Sequence, residues 1–314
     1  MITKYFSILM ITILLFSHIT FAQKIIVSTF GNNFSGVTIY KYDIETKEKK
    51  AVYTTDQNHV FIDHKIKLSP DGFYIAAILH DIEFYKDINQ AFYQKDDLLI
   101  LKLDGTICAK MSEVQLFDWS KDTHKIVYVT GLRYEGKPFT KADRLWILDL
   151  KTGRKRDLGK CNEIDIHWAQ FDGMIYTTDL TKVYQYNPEK GYRKITPYKA
   201  IYFSPYGEYS YQPNYEGTGF KLFETISNRD ITPNNIKKEN VNFYRWIGKD
   251  ELVAGDVTLE KYIIDVQTGR TKNIFTGNMI GYNDKTSEIY VHKDKKVFKE
   301  LPDSKIEKIK IDKR

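Results

Sequence analysis

The stretch "GLRYEGKP" from Gly131 fits the first seven positions of a phosphate-binding loop, G-x-x-x-x-G-K. That loop next needs a hydroxyl to hold magnesium and a helix whose first N–H groups face the phosphates. Pro138 stands where the hydroxyl belongs, and "RLWILDL" from Arg144 alternates like a strand, so Gly131 to Pro138 reads as a connecting loop. A serine hydrolase elbow, G-x-S-x-G, is absent from the chain. Neither His-Glu-x-x-His nor Cys-x-x-Cys occurs among the seven His and two Cys. The densest group of acids with a histidine is "HDIE", His80, Asp81 and Glu83, which reads as the polar start of a loop.

The elements that would have to position any such chemistry begin after a leader. Lys4 is followed by the apolar run "ILMITILLF" from Ile8 to Phe16 and by "SHITFAQ", with Thr20 and Ala22 placed for a cut before Gln23. This is the three-part pattern of a secretory signal over residues 1–22. The run is far below the ~20 residues of a spanning helix. The expectation is one domain over residues 23–314, with no transmembrane segment in the mature chain, periplasmic or secreted, and monomeric. Net charge is +6, with 47 basic and 41 acidic residues interleaved, a mixed solvated surface. Cys108 and Cys161 are expected as two free thiols at different ends of neighbouring outer strands.

With 23 Tyr and 18 Phe, the chain shows short alternating runs between turn residues and no long helical periodicity. The runs recur. A turn followed by an apolar strand appears in "LSPDGFYIAAI" from Leu68, "WSKDTHKIVYV" from Trp119 and "AQFDGMIYTTD" from Ala169. It returns in "FSPYGEYSYQP" from Phe203, "WIGKDELVAGD" from Trp246 and "GYNDKTSEIYV" from Gly281. Taking Ser69, Ser120, Gln170, Ser204, Ile247 and Tyr282 as first turn residues, the spacings are 51, 50, 34, 43 and 35. Their mean matches a propeller blade of ~40 to 45 residues.

A second unit, an alternating strand closing on an Asp or Asn reversal, recurs seven times. The copies begin at Val37, Asp97, Asp143, Lys182, Gly219, Glu260 and Lys295. The fold expected is therefore an all-β propeller of four-stranded antiparallel blades, seven or else six. The first copy lacks its inner strand, because the mature chain starts at "KIIVSTF".

"SPDGFYIAAI" at Ser69, "LWILDLKTGR" at Leu145 and "YIIDVQTGR" at Tyr262 resemble the WD40-like repeats of TolB-type propellers and of the dipeptidyl-peptidase propeller. The resemblance covers most of the mature chain. It implies a stand-alone propeller and says little about activity.

Two sets of functional residues follow. Inner strands begin around a central channel, where Asp63, His64, Glu113, Glu163, Asn240 and Asn278 can form a ring. Such a ring could hold calcium and serve a hydrolase or lyase, or simply line a wet channel. The other set lies in long connections between second and third strands, "HDIEFYKDINQAFYQKD" from His80 and "GLRYEGKPFTKA" from Gly131, with "FGNNFSG" and "PNYEGTG" at the same place in other copies. These share one face and carry Phe84, Tyr85, Phe92, Tyr93, Tyr134, Phe139 and Tyr215. Exposed aromatics there suit a protein, peptide or glycan ligand with no cofactor. The competing reading has them fold back to seal the loops.

Nucleic acid is not an expected partner, since export removes access and the basic residues do not cluster with aromatics. The basic run "DLKTGRKR" at Asp149 has counterparts at Asp265, Asn187 and Asp43. It reads as a repeated reversal whose cations guard an outer edge.

Overall fold

The computed structural model describes residues 24–30, 37–43, 49–56, 58–81, 96–122, 124–131, 133–134, 140–141, 144–161, 163–214, 219–233, 241–246, 249–256, 260–276, 278–283, 288–292 and 306–310. The expected leader lies outside them. No helix among the described residues is long and apolar enough to cross a membrane.

The described residues form seven antiparallel sheets and one two-stranded ribbon, all in chain order. The first sheet has three strands, β1 (Lys24–Phe30), β2 (Val37–Asp43) and β3 (Lys49–Thr54). The second has four, β4 (His59–Leu68), β5 (Tyr74–Asp81), β6 (Asp97–Lys102) and β7 (Ile107–Ser112). The third is β8 (Val114–Trp119), β9 (Lys125–Thr130), β12 (Arg144–Asp149) and β13 (Lys155–Lys160). Between β9 and β12 lies the ribbon of β10 (Arg133–Tyr134) and β11 (Thr140–Lys141).

The fourth sheet is β14 (Asp165–Trp168), β15 (Ile175–Thr178), β16 (Val183–Tyr186) and β17 (Arg193–Thr196). The fifth is β18 (Tyr202–Phe203), β19 (Tyr209–Pro213), β20 (Phe220–Glu224) and β21 (Arg229–Asp230). The sixth is β22 (Val241–Trp246), β23 (Glu251–Asp256), β24 (Glu260–Asp265) and β25 (Thr271–Thr276). The seventh is β26 (Asn278–Asn283), β27 (Glu288–His292) and β28 (Ile306–Lys310).

Alternation along the second strands shows how the sheets pack. On β5, Ile75, Ala77 and Leu79 join Ile39 and Val52 of the first sheet, while Ala76 and Ile78 join Val114, Phe117 and Trp119 of the third. On β9, Ile126 and Tyr128 face the second sheet, and Val127 and Val129 face Ile166 and Trp168 of the fourth. Each such sheet is buried on both faces by its two neighbours, which is radial blade packing. Burying one of these Ile or Val side chains contributes about 1.5–3 kcal/mol, so no sheet is stable without its neighbours. Ile39 and Val52 occupy the places that third and fourth strands take elsewhere, so β1 is a second strand, and among the described residues the first sheet has no inner one.

In the second, third and fifth sheets the turn after the inner strand is fixed by a serine. The Ser69 amide donates to the Tyr74 carbonyl at 2.8 Å, the Tyr74 amide donates to Ser69 Oγ at 2.9 Å, and Gly72 takes φ +78°. Ser120 and Ser204 repeat the pattern. In the fourth sheet Ala169, not Gln170, holds that place, because its amide donates to the Met174 carbonyl at 2.9 Å.

The outer reversals carry the basic run. Asp149 Oδ1 accepts from the amides of Lys151 and Thr152 at 2.9 and 3.1 Å, and Gly153 sits at φ +68°. Asp265 and Gly269 do the same in the sixth sheet. Arg156 reaches on to the carbonyls of Pro188 and Glu189 in the next outer turn, at 2.7 and 2.8 Å.

One sequence expectation shifts. The seventh unit, placed from Lys295, falls mostly outside the described residues, and the strand that pairs with β27 is Ile306–Lys310. "IEKIK" alternates apolar and charged residues, the period a strand requires, although its basic composition reads as a tail.

Candidate functional site

Strands alternate in direction within each sheet, so two ends of the molecule differ. At one end lie the turns from inner to second strand and from third to outer strand. At the other lie the connections from second to third strand. At that second end β1, β5, β9 and β19 finish and β2, β6, β12 and β20 begin.

Of the aromatic residues expected there, Phe84, Tyr85, Phe92, Tyr93, Phe139 and Tyr215 lie outside the described residues. Tyr134 is in β10 and pairs in register with Thr140 of β11, so the third sheet's connection folds a ribbon of its own. The base of the 82–96 connection is anchored. His80, on β5, pairs with Asp96 through Nδ1 and Oδ1 at 2.6 Å, with Asp96 1% exposed. The Asp96 carbonyl accepts from the Val114 amide at 2.8 Å, which ties the loop to the next inner strand. His80 and Asp81 thus end a strand, as a polar loop start should, and Glu83 is outside the described residues.

The expected ring of strand-start residues is spread over several kinds of position. Asp63 and His64 fall in β4 between Phe61 and Ile66, where the pairing with β5 is interrupted by a bulge. Glu113 is exposed at φ +60°, its carbonyl accepting from the Gly131 amide at 3.2 Å. Asn278 opens β26 opposite His292, and Asn240 is outside the described residues.

Glu163 is 1% exposed and turns into its own sheet. Its Oε1 accepts from the Arg193 guanidinium on β17 and from the Tyr186 hydroxyl at 3.4 Å, while Oε2 has no hydrogen-bond partner among the described residues. Beside it Cys161 is fully buried, and burial, then the Glu163 charge, pushes the thiol well above its ordinary range. Both cysteines are free, Cys108 exposed and Cys161 buried. Among the described residues no group of three or more His, Cys, Asp or Glu could hold a metal ion.

The polar residues that do converge sit near the other end of the inner strands. Two positions before each turn residue stand Lys67, Asp118, His167 and Tyr202, which pair in register with Ala76, Val127, Tyr176 and Tyr211. Lys67 Nζ donates to Asp118 Oδ1 at 3.0 Å, and His167 Nδ1 donates to Asp118 Oδ2 at 2.8 Å. The Trp168 amide adds a third bond to Oδ2 at 2.9 Å. The His167 ring lies 5.4 Å from Tyr202, whose hydroxyl donates to Asp165 Oδ1 at 2.6 Å and whose ring stacks on Tyr211 at 4.7 Å.

Burial alone would raise the Asp118 carboxyl, but the Lys67 charge and the bonds from His167 and Trp168 outweigh it. The carboxyl is held well below the usual carboxylate range. Burial, then the charges of Asp165 and Asp118, pushes the Tyr211 phenol far up. One carboxylate thus bonds the inner strands of the second, third and fourth sheets together. What this arrangement does chemically is to position those strands around the axis. The sequence carried a signal for it in the four polar residues at one fixed offset from the turn, but only the spacing of blades shows that they meet.

No known family model matches this chain, and no curated protein sequence matches it. Solved structures do. The chain is similar to the beta-propeller domain of the Trilobed protease from Pyrococcus furiosus, which has an open velcro topology, at 14% identity and a TM-score of 0.55 over 90% of this chain and 92% of that one. It is also similar to a chain of the mitotic checkpoint complex, at 12% identity and a TM-score of 0.52 over 84% of this chain and 86% of that one. Identities this low carry the fold alone, and the fold they show is a WD40-like β-propeller.

Proposed function

We propose that this chain is an exported, monomeric, non-catalytic propeller of seven blades, related to the TolB type, that captures a protein, peptide or glycan. The ligand meets the end opposite the turns. The observation that carries this reading is the placement of two long connections. Residues 82–96 and 131–143 leave adjacent sheets at the same end, one anchored by the His80–Asp96 pair and the other bearing the β10–β11 ribbon. Insertions gathered on one face of a repeat scaffold are where binding surfaces are built. The aromatics of those segments, Tyr85, Tyr93 and Tyr134 among them, supply large contact area at low entropic cost.

Screening the protein against a phage-displayed random peptide library and a glycan array tests the proposal. Ligands enriched on the wild type should lose about tenfold or more in affinity for the variant carrying Tyr85→Ala, Tyr93→Ala and Tyr134→Ala, at an unchanged melting temperature. Retention of those ligands by a folded triple variant would sink the assignment.

A further inference from the structure

We propose that Glu163, Tyr184 and Tyr186 form a cage for the guanidinium group of an arginine side chain on a partner polypeptide, and that Arg193 is the plug this partner displaces. The cage lies in the fourth sheet, where Tyr184 and Tyr186 are alternate residues of β16 and share the face packed against the third sheet. None of its residues belongs to the long connections of the capture proposal.

The walls are held in place without Arg193. The Tyr186 hydroxyl donates to Glu163 Oε1 at 3.4 Å, and the Tyr184 hydroxyl donates to Asp179 Oδ2 at 3.0 Å. Glu163 and Tyr186 are each 1% exposed, and the fully buried Cys161 lies beside the carboxylate. A carboxylate flanked by two aromatic faces is the surrounding that a flat cation prefers.

The chain itself shows which cation fits. Arg193 opens β17 opposite Tyr186 and sets its guanidinium 3.8 Å from the centroid of the Tyr184 ring and 5.6 Å from that of Tyr186. Its Nη2 donates to Glu163 Oε1. The fit is incomplete, however. Glu163 Oε2 is buried and has no hydrogen-bond partner among the described residues, so Arg193 engages the carboxylate through one prong only. Thr177, fully buried and in register with Tyr184, likewise leaves its Oγ1 without a hydrogen-bond partner among the described residues. A latch built only for stability gains from bonding both carboxylate oxygens to the fork of the guanidinium, and a bare buried oxygen weakens it.

The balance of exchange favours an incoming arginine. The Arg193 side chain is 40% exposed, so its stem leads from the cage to solvent, while its backbone is fixed by the pairing of β17 with β16. A guanidinium on a partner chain keeps the ring contacts and the first bond, and it is free to turn its fork onto both oxygens. The displaced Arg193 regains its hydration at the surface. Lysine gains less, because an ammonium is a point charge without a planar fork.

Arg193→Met keeps an apolar stem against the tyrosines and removes the plug. It should lower the melting temperature, since Glu163 is left uncompensated. Methylguanidinium at tens of millimolar should restore most of that loss, while methylammonium at the same concentration restores little. In calorimetry, acetyl-Gly-Arg-Gly-amide should bind Arg193→Met about tenfold or more tighter than the wild type, where the resident side chain competes. The corresponding lysine peptide should bind about fivefold or more weaker, and adding Glu163→Gln should abolish both effects. If Arg193→Met does not fold, Arg193→Lys carries the same comparison. The triple tyrosine variant of the long connections should bind the arginine peptide as the wild type does, so that failure of this site and failure of the capture proposal are read separately. Equal rescue by the two cations, or an arginine peptide that binds the unplugged variant no better than the wild type, would overturn the proposal.

Discussion

Asp118 shows how much one residue can carry in this molecule. Its carboxylate receives Lys67 from one neighbouring sheet, His167 and the Trp168 amide from the other, and its side chain is only 13% exposed. Removing a partner from a buried, hydrogen-bonded pair costs about 3–5 kcal/mol, so Asp118→Asn should lower the melting temperature by several degrees. The pH dependence has a definite sign. A carboxyl whose folded pKa lies below its unfolded value of 3.8 contributes stability that is complete above that value and fades as pH falls through the lower folded one. The stability gap between wild type and Asp118→Asn should therefore be constant from about pH 5 upward and shrink only below about pH 4, a trend that urea titrations at several pH values can follow. A gap that instead closed between pH 6 and 8 would assign the effect to another group. In the sequence, Asp118 is a polar residue at a repeated offset from a turn, and its partners are not legible there because they lie 51 and 49 residues away.

At the level of elements, the turns were the legible part. Ser-Pro-Asp-Gly after an apolar strand specifies a reversal through local bonds, and the bonds found at Ser69, Ser120 and Ser204 are those the residue types can make. The reversal at Asp149 is equally local, which is why four basic residues near it need no ligand to explain them. Packing demands also reach the turns. A Cβ on Gly105, at φ +92°, would stand 2.2 Å from the Val52 carbonyl oxygen of the first sheet, whereas one on Gly153, at φ +68°, meets nothing. Gly153→Ala should cost about 1–2 kcal/mol, the left-handed backbone penalty alone, and Gly105→Ala distinctly more, since backbone of the adjoining sheet must move. Equal melting temperatures for the two variants would show that the joint between the first two sheets is looser than this. The sequence distinguishes these two glycines by nothing except position. The one-residue slip at Ala169 arises because the fourth sheet's turn lacks the serine found at Ser69, Ser120 and Ser204.

For the whole molecule, stability is shared because each sheet is covered only by its neighbours. Residues of β5, β6 and β9 divide alternately between two clusters, so losing one sheet exposes apolar faces on two others. Thermal unfolding followed by far-UV circular dichroism and by the fluorescence of Trp119, Trp146, Trp168 and Trp246 should give coincident midpoints. These tryptophans sit in the third, fourth and sixth sheets. Separated midpoints would mean that groups of blades melt on their own, as in open repeat arrays. The molecule also has two unlike ends, and the capture proposal uses the one opposite the turns.

The sequence by itself determined the strands, their reversals and the repeat of about 43 residues, because these depend on alternation and on side chains bonding their own backbone. It also supplied the aromatic connections on which the capture proposal rests. Only the tertiary structure decided which polar residues meet. Lys67, Asp118 and His167 share a site because the radial stacking of blades brings equal offsets of successive repeats together, a distance that no local pattern encodes. The tertiary structure likewise turned Glu163 into its own sheet against Arg193. It also opened a cleft beside Phe73, lined by side chains of three successive sheets. Local chemistry fixes the conformation of each segment, whereas burial and charge pairing depend on which segments become neighbours.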